Sequence, residues 1–286
     1  MDIISNGLGH PGSSRDNMPE PRKRDDWLAL APDLSIGGEA SIEELTFSSS
    51  MLSDISTSLW EDGYLSLPPL FDPSELASVR DAIFALFEQD IPPVYIYLFD
   101  QPWWLFARLG PLLRHFVGEN FGVLPNLWAW HLNREGARGW PPHRDCDAMT
   151  VFGEGEDAVL MSLSLWLPLT DADESNGCMY IVPQSRYEAN SASQKADLMD
   201  ARSLPAKAGS VLGWPQDVYH WGGSYTSAAK NPRVSLSLEF QNRAFDPLAD
   251  PLMDMGKLPP FEIRRSLIQD QFAKYRHIDP NLGAGK

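Results

Sequence analysis

The sequence predicts a mainly β protein with flanking helices, its strands arranged as a jelly roll or barrel. Five short tracts carry this: "NLWAWHLN", "VLMSLSLWLPL", "GCMYIVP", "GSVLGWP" and "PRVSLSLEFQ" are rich in β-branched, aromatic or alternating residues, and Gly, Pro, Asn or Asp bounds each one. No long helical pattern separates them, so they pair with one another rather than through βαβ crossovers. Helical periodicity stands only before and after this block.

Taken in order, residues 1–50 are polar and rich in Gly, Pro, Ser and charge ("GHPGSSRDNMPEPRKRDD"), which reads as a flexible N-terminal arm. "DWLALA" and "SIEELTF" are its two segments apolar enough to dock on the body as short helices. Residues 51–286 form one domain. It opens with a short helix and an extended "GYLSLPPL"; Asp72 then caps a helix that has Pro73 at its first position and Glu75 in its first turn. Leu76, Val79, Ile83, Leu86 and Phe87 recur at helical spacing, giving an amphipathic helix to about Gln89 that covers the outside of a sheet. Two short helices around Trp103 and Leu113 follow, then the β core over about 125–245, and a closing helix over about 261–276.

Composition narrows the function. The chain has 286 residues, 43% hydrophobic and 11% aromatic, and its formal net charge is −16, so it folds around a packed core and presents no basic surface for a nucleic-acid backbone. The charge steers cationic or zwitterionic substrates favourably. Two cysteines, Cys146 and Cys178, make no disulfide framework and no Cys-x-x-Cys pair. With no signal-like start and no long apolar run, the expectation is a soluble cytoplasmic protein, monomeric or homodimeric, without membrane or nucleic-acid partners.

The chemistry centres on "GWPPHRDCDAMT". His143 and Asp145 stand two apart, so on an extended segment both project to one side and can reach one ion. Alone, the pair reads first as a charged turn. A 2-His-1-carboxylate iron site needs a second histidine from a later strand, and His220 lies in the extended tract "GWPQDVYHWGGS". Beyond it, Arg233 and Ser235 share one face of "NPRVSLSLEF", a fork and a hydroxyl suited to the distal carboxylate of a keto-diacid.

Over about residues 55–245 the sequence resembles the phytanoyl-CoA dioxygenase-like family of Fe(II)- and 2-oxoglutarate-dependent oxygenases. The matching stretches are "WEDGYLSLPPLFDPSELASVR", "LWLPLTDADESNGCMYIVPQSR" and "AGSVLGWPQDVYHWGG", with the His143-x-Asp145 motif between the first two. The resemblance implies a double-stranded β-helix of cupin-like type, with Fe(II), 2-oxoglutarate and O2 as cofactor and cosubstrates. It also implies His143, Asp145 and His220 as iron ligands, and Arg233 with Ser235 as the 2-oxoglutarate anchor. Two departures stand out: "PQSR" replaces the family's "PGSH", and the turn "WGGSYTSAAKN" before Arg233 is long. Halogenating members lack the carboxylate; Asp145 is present, so the resemblance implies hydroxylation or a related oxidation rather than halogenation, and the leading expectation is a hydroxylase of a small-molecule metabolite in secondary metabolism. Desaturation, cyclisation or epimerisation by the same cofactors stays open, as does a jelly-roll protein that binds a ligand without catalysis.

Other residues have two readings each. His131 and Asn133 share a face of the strand before the motif and are candidates to contact cosubstrate, against a core or surface role. Trp166 shares a face with Ser162 and Ser164, opposite Leu163, Leu165 and Leu167, and lines the substrate pocket if that face is the interior. Arg186, in place of a family histidine, is a candidate for an anionic substrate group, and Cys146 for the pocket wall. Tyr95, Tyr97, Trp103 and Trp104 suit either a lid or ordinary core. Arg144 points away from the metal; His115 reads as structural, and His10 and His277 as solvated surface.

Overall fold

A computed structural model describes residues 22–39, 41–153, 158–187 and 197–275. Helix α1 (Arg24–Leu30) buries Trp27 against Tyr95, ring centroids 5.3 Å apart and nearly parallel. α2 (Ser49–Asp62) is capped by Ser48, whose hydroxyl accepts from the Met51 N–H, and ends at Gly63 with φ 78°, a left-handed turn that glycine adopts freely. The chain then runs through β1 (Leu65–Leu67) into α3 (Pro73–Glu88), capped by Asp72 with Glu75 completing a capping box. A 3-10 turn at Pro93–Leu98 leads into α4 (Gln101–Ala107) and α5 (Gly110–Val117).

From there the structure is β: β2 (Phe121–Leu132), the small hairpin β3 (Val151–Phe152) and β4 (Val159–Leu160), β5 (Ser162–Pro168), β6 (Met179–Ile181), β7 (Arg202–Leu204), β8 (Val211–Trp214), β9 (His220–Gly222) and β10 (Arg233–Asn242). An antiparallel five-stranded sheet has the order β1-β8-β5-β10-β2, and a three-stranded sheet the order β7-β6-β9. Side chains of both, Trp166, Leu212 and Trp214 on one and Met179, Ile181 and Leu204 on the other, share one core, so the sheets pack face to face as in a jelly roll. α6 (Phe261–Lys274) closes the chain.

Strand alternation decides which side chains reach the interior. Leu163, Leu165, Leu167, Val234, Leu236, Leu238 and Phe240 join the helix-covered core outside the large sheet, each contributing about 1.5–3 kcal/mol by burial. The opposite set, Ser164, Trp166, Arg233, Ser237 and Glu239, faces the space between the sheets. The Ser164/Trp166 face is therefore the interior one.

The N-terminal segment departs from a flexible arm. From Arg22 onward it packs on the body: Trp27, Leu34 and Ile36 are buried, and the buried Asp100 accepts from the Gly37 and Gly38 N–H groups and the Ser35 hydroxyl while pairing with Arg264 of α6 at 2.7 Å. The apolar "DWLALA" signals the helical part of this docking, whereas the Ser35–Gly38 contacts leave no local signal, because one buried carboxylate holds a mostly polar stretch. The "SIEELTF" stretch docks extended rather than helical, tied by Leu45 N–H to Arg108 O and by Glu44 to Arg114. Residues 1–21 with His10, and 276–286 with His277, lie outside the described residues.

Tyr95, Tyr97 and Trp103 are core rather than lid: the Tyr97 hydroxyl donates to Ser237 O at 2.7 Å and the Trp103 indole N–H to Tyr97 O at 2.9 Å. His115 pairs with Ser56 at 2.8 Å. No helix among the described residues is long and apolar enough to cross a membrane.

Candidate metal centre

His143 and His220 sit on adjoining extended segments that exchange backbone hydrogen bonds, His143 N–H to His220 O at 3.1 Å and His220 N–H to His143 O at 3.0 Å. This bridge sets the imidazoles side by side, ring centroids 4.4 Å apart. Each ring is oriented from behind: Nδ1 of His143 lies 2.8 Å from Pro141 O, and Nδ1 of His220 3.0 Å from Val218 O. A carbonyl only accepts, so Nδ1 carries the proton in both rings and Nε2 is left as a lone-pair donor.

Those two Nε2 atoms converge on one carboxylate oxygen. Asp145 Oδ1 is 3.4 Å from His143 Nε2 and 3.7 Å from His220 Nε2, while Oδ2 accepts from the Ser164 hydroxyl at 2.7 Å. One ligand atom from each residue lies within 4.8 Å of the other two. Burial would raise the Asp145 carboxyl, but the neighbouring histidines and Ser164 hold it well below the usual carboxylate range. Burial pushes His220 down to about 4, leaving it neutral; burial is the largest influence on His143 too, but the facing Asp145 carboxylate together with the Pro141 and His220 backbone groups outweighs it and holds that imidazole up. Two neutral-capable imidazoles and one ionised carboxylate on one face are the donor set of an Fe(II) facial triad. His143 Nε2 is moreover buried without a hydrogen-bond partner, so these residues fit the metal.

Arg233 stands beside them, 1% exposed. Nη1 donates to Ser235 Oγ at 3.0 Å, whereas Nε and Nη2 are buried without partners. The guanidinium lies over Trp130 and Trp166, 5.6 and 5.8 Å from the ring centroids, and burial pulls its pKa down to about 9. A buried cation with two open donors is costly unless an anion arrives, and a carboxylate fits that fork. The approach depends on glycine: a Cβ on Gly222 would meet Gly139 Cα at 2.8 Å and Arg233 Nη2 at 3.3 Å.

The cavity joining these groups is also lined by Trp130, Trp140, Trp214, Met179, Glu239 and Tyr275. Trp140 and Tyr275 stack with ring centroids 4.1 Å apart.

Of the sequence candidates, His143, Asp145, His220, Arg233, Ser235 and Trp166 gather here. Others do not. His131 packs on Phe84 and Phe87 of α3, on the face of β2 opposite Trp130, and burial pushes it down to about 4; Asn133 lies past the strand end, exposed. Both follow from the same alternation: once Trp130 faces inward, His131 faces α3 and cannot reach a cosubstrate. Arg186 is exposed on a 3-10 turn near Asp62, outside the cavity. Cys146 follows Asp145 but points out of the cavity lining, half-buried, and burial raises its thiol. Arg144 does turn from the metal site, its guanidinium 4.2 Å from the Tyr219 ring centroid.

Sequence reasoning overlooked Ser164 as the orienter of Asp145, Glu239 in the interior, and Tyr275 in the cavity wall. For Glu239 a signal existed, since Arg233, Ser235, Ser237 and Glu239 alternate along one strand.

The family model described as phytanoyl-CoA dioxygenase matches residues 93–235, half of the chain. No curated protein matches the sequence. Among solved structures, the epimerase SnoN in complex with Fe3+, alpha ketoglutarate and nogalamycin RO is similar at TM-score 0.51 and 17% identity, covering 74% of this chain and 91% of SnoN. HygX from Streptomyces hygroscopicus with nickel and 2-oxoglutarate bound gives 0.51 and 13%, covering 70% and 89%. AviO1 from Streptomyces viridochromogenes gives 0.53 and 17%, covering 75% and 100%. At such identities the likeness is one of fold.

Proposed function

We propose, from the premise that this chain belongs to the phytanoyl-CoA dioxygenase family of Fe(II)- and 2-oxoglutarate-dependent oxygenases, that it hydroxylates an unactivated C–H bond of a small-molecule metabolite. The balanced reaction takes substrate, 2-oxoglutarate and O2 to hydroxylated substrate, succinate and CO2. The observation that carries the reading is the pairing of an oriented His-Asp-His group with a buried, two-donor Arg233.

His143 Nε2, His220 Nε2 and Asp145 Oδ1 would hold the metal, with Pro141, Val218 and Ser164 fixing their orientation. When bound, iron with 2-oxoglutarate and O2 supplies the oxidising power that protein side chains lack. Arg233 Nε and Nη2 would take the far carboxylate of 2-oxoglutarate, and Ser235 fixes the guanidinium from behind. Trp130, Trp166 and Trp214 exclude water around the reacting groups and strengthen these charge contacts. The intact Asp145 supports hydroxylation over halogenation.

Epimerisation or cyclisation is the second reading, favoured by the similarity to SnoN and to the carbocyclase SnoK, both from nogalamycin biosynthesis; desaturation uses the same residues. A place in secondary metabolism fits either reading. The test is Fe(II)-dependent conversion of 2-oxoglutarate to succinate, with Asp145→Ala and His220→Ala as controls. The expected result is conversion lost in both variants; absence of metal-dependent 2-oxoglutarate binding by the wild type overturns the reading, and product mass on the true substrate separates hydroxylation from redox-neutral epimerisation.

A further inference from the structure

Neither metal binding nor cosubstrate binding uses Glu239, and a carboxylate inside a sandwich of sheets is costly to keep. It is 7% exposed, on the interior face of β10, and lines the same cavity as His143, Asp145 and His220. Its register neighbour on β5 is Ser164, which holds Asp145, so Glu239 lies level with the metal ligands, while Arg233 lies at the opposite end of the strand. The row from Arg233 through Ser235 and Ser237 to Glu239 thus runs from the cosubstrate anchor past the metal group.

The surroundings of Glu239 are built. Asn126 Nδ2 and Gln216 Nε2 both donate to Oε2, and the Lys274 ammonium donates to Asn126 Oδ1, which fixes that amide's orientation. Lys274 acts on the carboxylate as a nearby positive charge, and the Asn126 and Gln216 amides both meet Oε2 rather than Oε1. Burial drives its carboxyl up to about 8, so the empty site favours the neutral acid, and a donor placed against Oε1 would favour the ionised carboxylate that accepts it. Trp140, Trp214 and Tyr275 line the same cavity, Trp214 on the same row of the large sheet as Ser164 and Glu239, and give flat apolar walls that would flank a compact ligand.

We infer that Glu239 is the substrate-anchoring residue, its Oε1 accepting a hydrogen bond from an O–H or N–H donor on the substrate, so that the enzyme selects a polyol or an amine and positions the C–H next to that donor at the metal. Asn126, Gln216 and Lys274 are positioning residues that hold the carboxylate. The inference rests on the proposed reaction for the place of the substrate.

The test uses full-length protein loaded with redox-inert Zn(II) and saturated with 2-oxoglutarate, with probe binding followed by ligand-observed NMR. The probes are 2-aminoethanol and glycerol, which carry donors, and 1,2-dimethoxyethane, which carries acceptors only. Wild type is expected to bind at least one donor probe and to discriminate against dimethoxyethane. Glu239→Leu should weaken the donor probe about tenfold or more. Glu239→Gln, isosteric and retaining an acceptor, guards against a folding defect: loss of 2-aminoethanol alone assigns the ammonium, and parallel weakening of glycerol assigns the hydroxyl. Unchanged donor binding in both variants, preference for dimethoxyethane, or failure of both donor probes to bind wild type overturns the inference. Metal-dependent 2-oxoglutarate binding, measured on the same samples, reports separately on the proposed reaction.

Discussion

Replacing Arg233 by leucine separates a group kept for binding from one kept for stability. Nη1 is already satisfied by Ser235, but Nε and Nη2 are buried and open. A carboxylate meeting both gains two charge-assisted hydrogen bonds of about 1.5–3 kcal/mol each, together about 3–6 kcal/mol. Desolvating that carboxylate takes part of this back, so the Kd for 2-oxoglutarate should rise at least about hundredfold, about 2.8 kcal/mol at 1.4 kcal/mol per decade. Stability should behave differently. Leucine forfeits cation–π contact with Trp130 and Trp166, about 0.5–2 kcal/mol, and strands the Ser235 hydroxyl, but it relieves the burial that pulls the guanidinium down to about 9. The net change in unfolding free energy without cosubstrate should stay within about 2 kcal/mol of zero. Calorimetric titration of 2-oxoglutarate into the Zn(II)-loaded protein, with denaturant unfolding of the metal-free form, measures both. An unchanged Kd together with a loss of about 4 kcal/mol or more in stability would show that Arg233 is a structural cation and refute the argument.

Two further outcomes follow from particular contacts. Ser164→Ala frees Asp145 Oδ2 and should weaken metal affinity about 10–100-fold, measured by competition with a chelator, with little change in 2-oxoglutarate affinity once the metal is saturating. His131 is half-buried and neutral beside Phe84 and Phe87, with its Nδ1 unpartnered and its pKa lowered to about 4. The unfolded chain therefore binds the proton first, so the stability this histidine permits is full above about pH 6.5 and falls as pH drops towards 4, by about 1–2 kcal/mol once solvent screening of the part-exposed ring is allowed for. His131→Phe should flatten this part of the stability-against-pH curve; an identical acid slope in the variant rules the assignment out.

Much of the fold was legible because strand and cap signals are local. Asp72-Pro73-x-Glu75 specifies a helix start from side chains that reach only their own first turn, and the tracts with Trp166 and Arg233 alternate so cleanly that opposite faces separate on paper. β7 and β3 went unread, and β4 was read as the start of the β5 tract, since strands of two or three residues carry too little pattern. His131 was misplaced for a subtler reason: alternation groups residues by face but does not say which face is the interior, and only Trp130 against Arg233 decides it.

By itself the sequence determined the spacing of His143 and Asp145, the order of the later His220 and Arg233, and the strand character that puts each pair on one side, because these depend on backbone period alone. Only the tertiary structure decided that the two halves meet. The reciprocal His143–His220 bridge, the Gly139–Gly222 approach beside Arg233, the docking of residues 22–39 on Asp100 and the arrival of Glu239 and Tyr275 in the cavity all join residues far apart in the chain. Such contacts arise from how two sheets and a closing helix pack, and no local pattern encodes that packing.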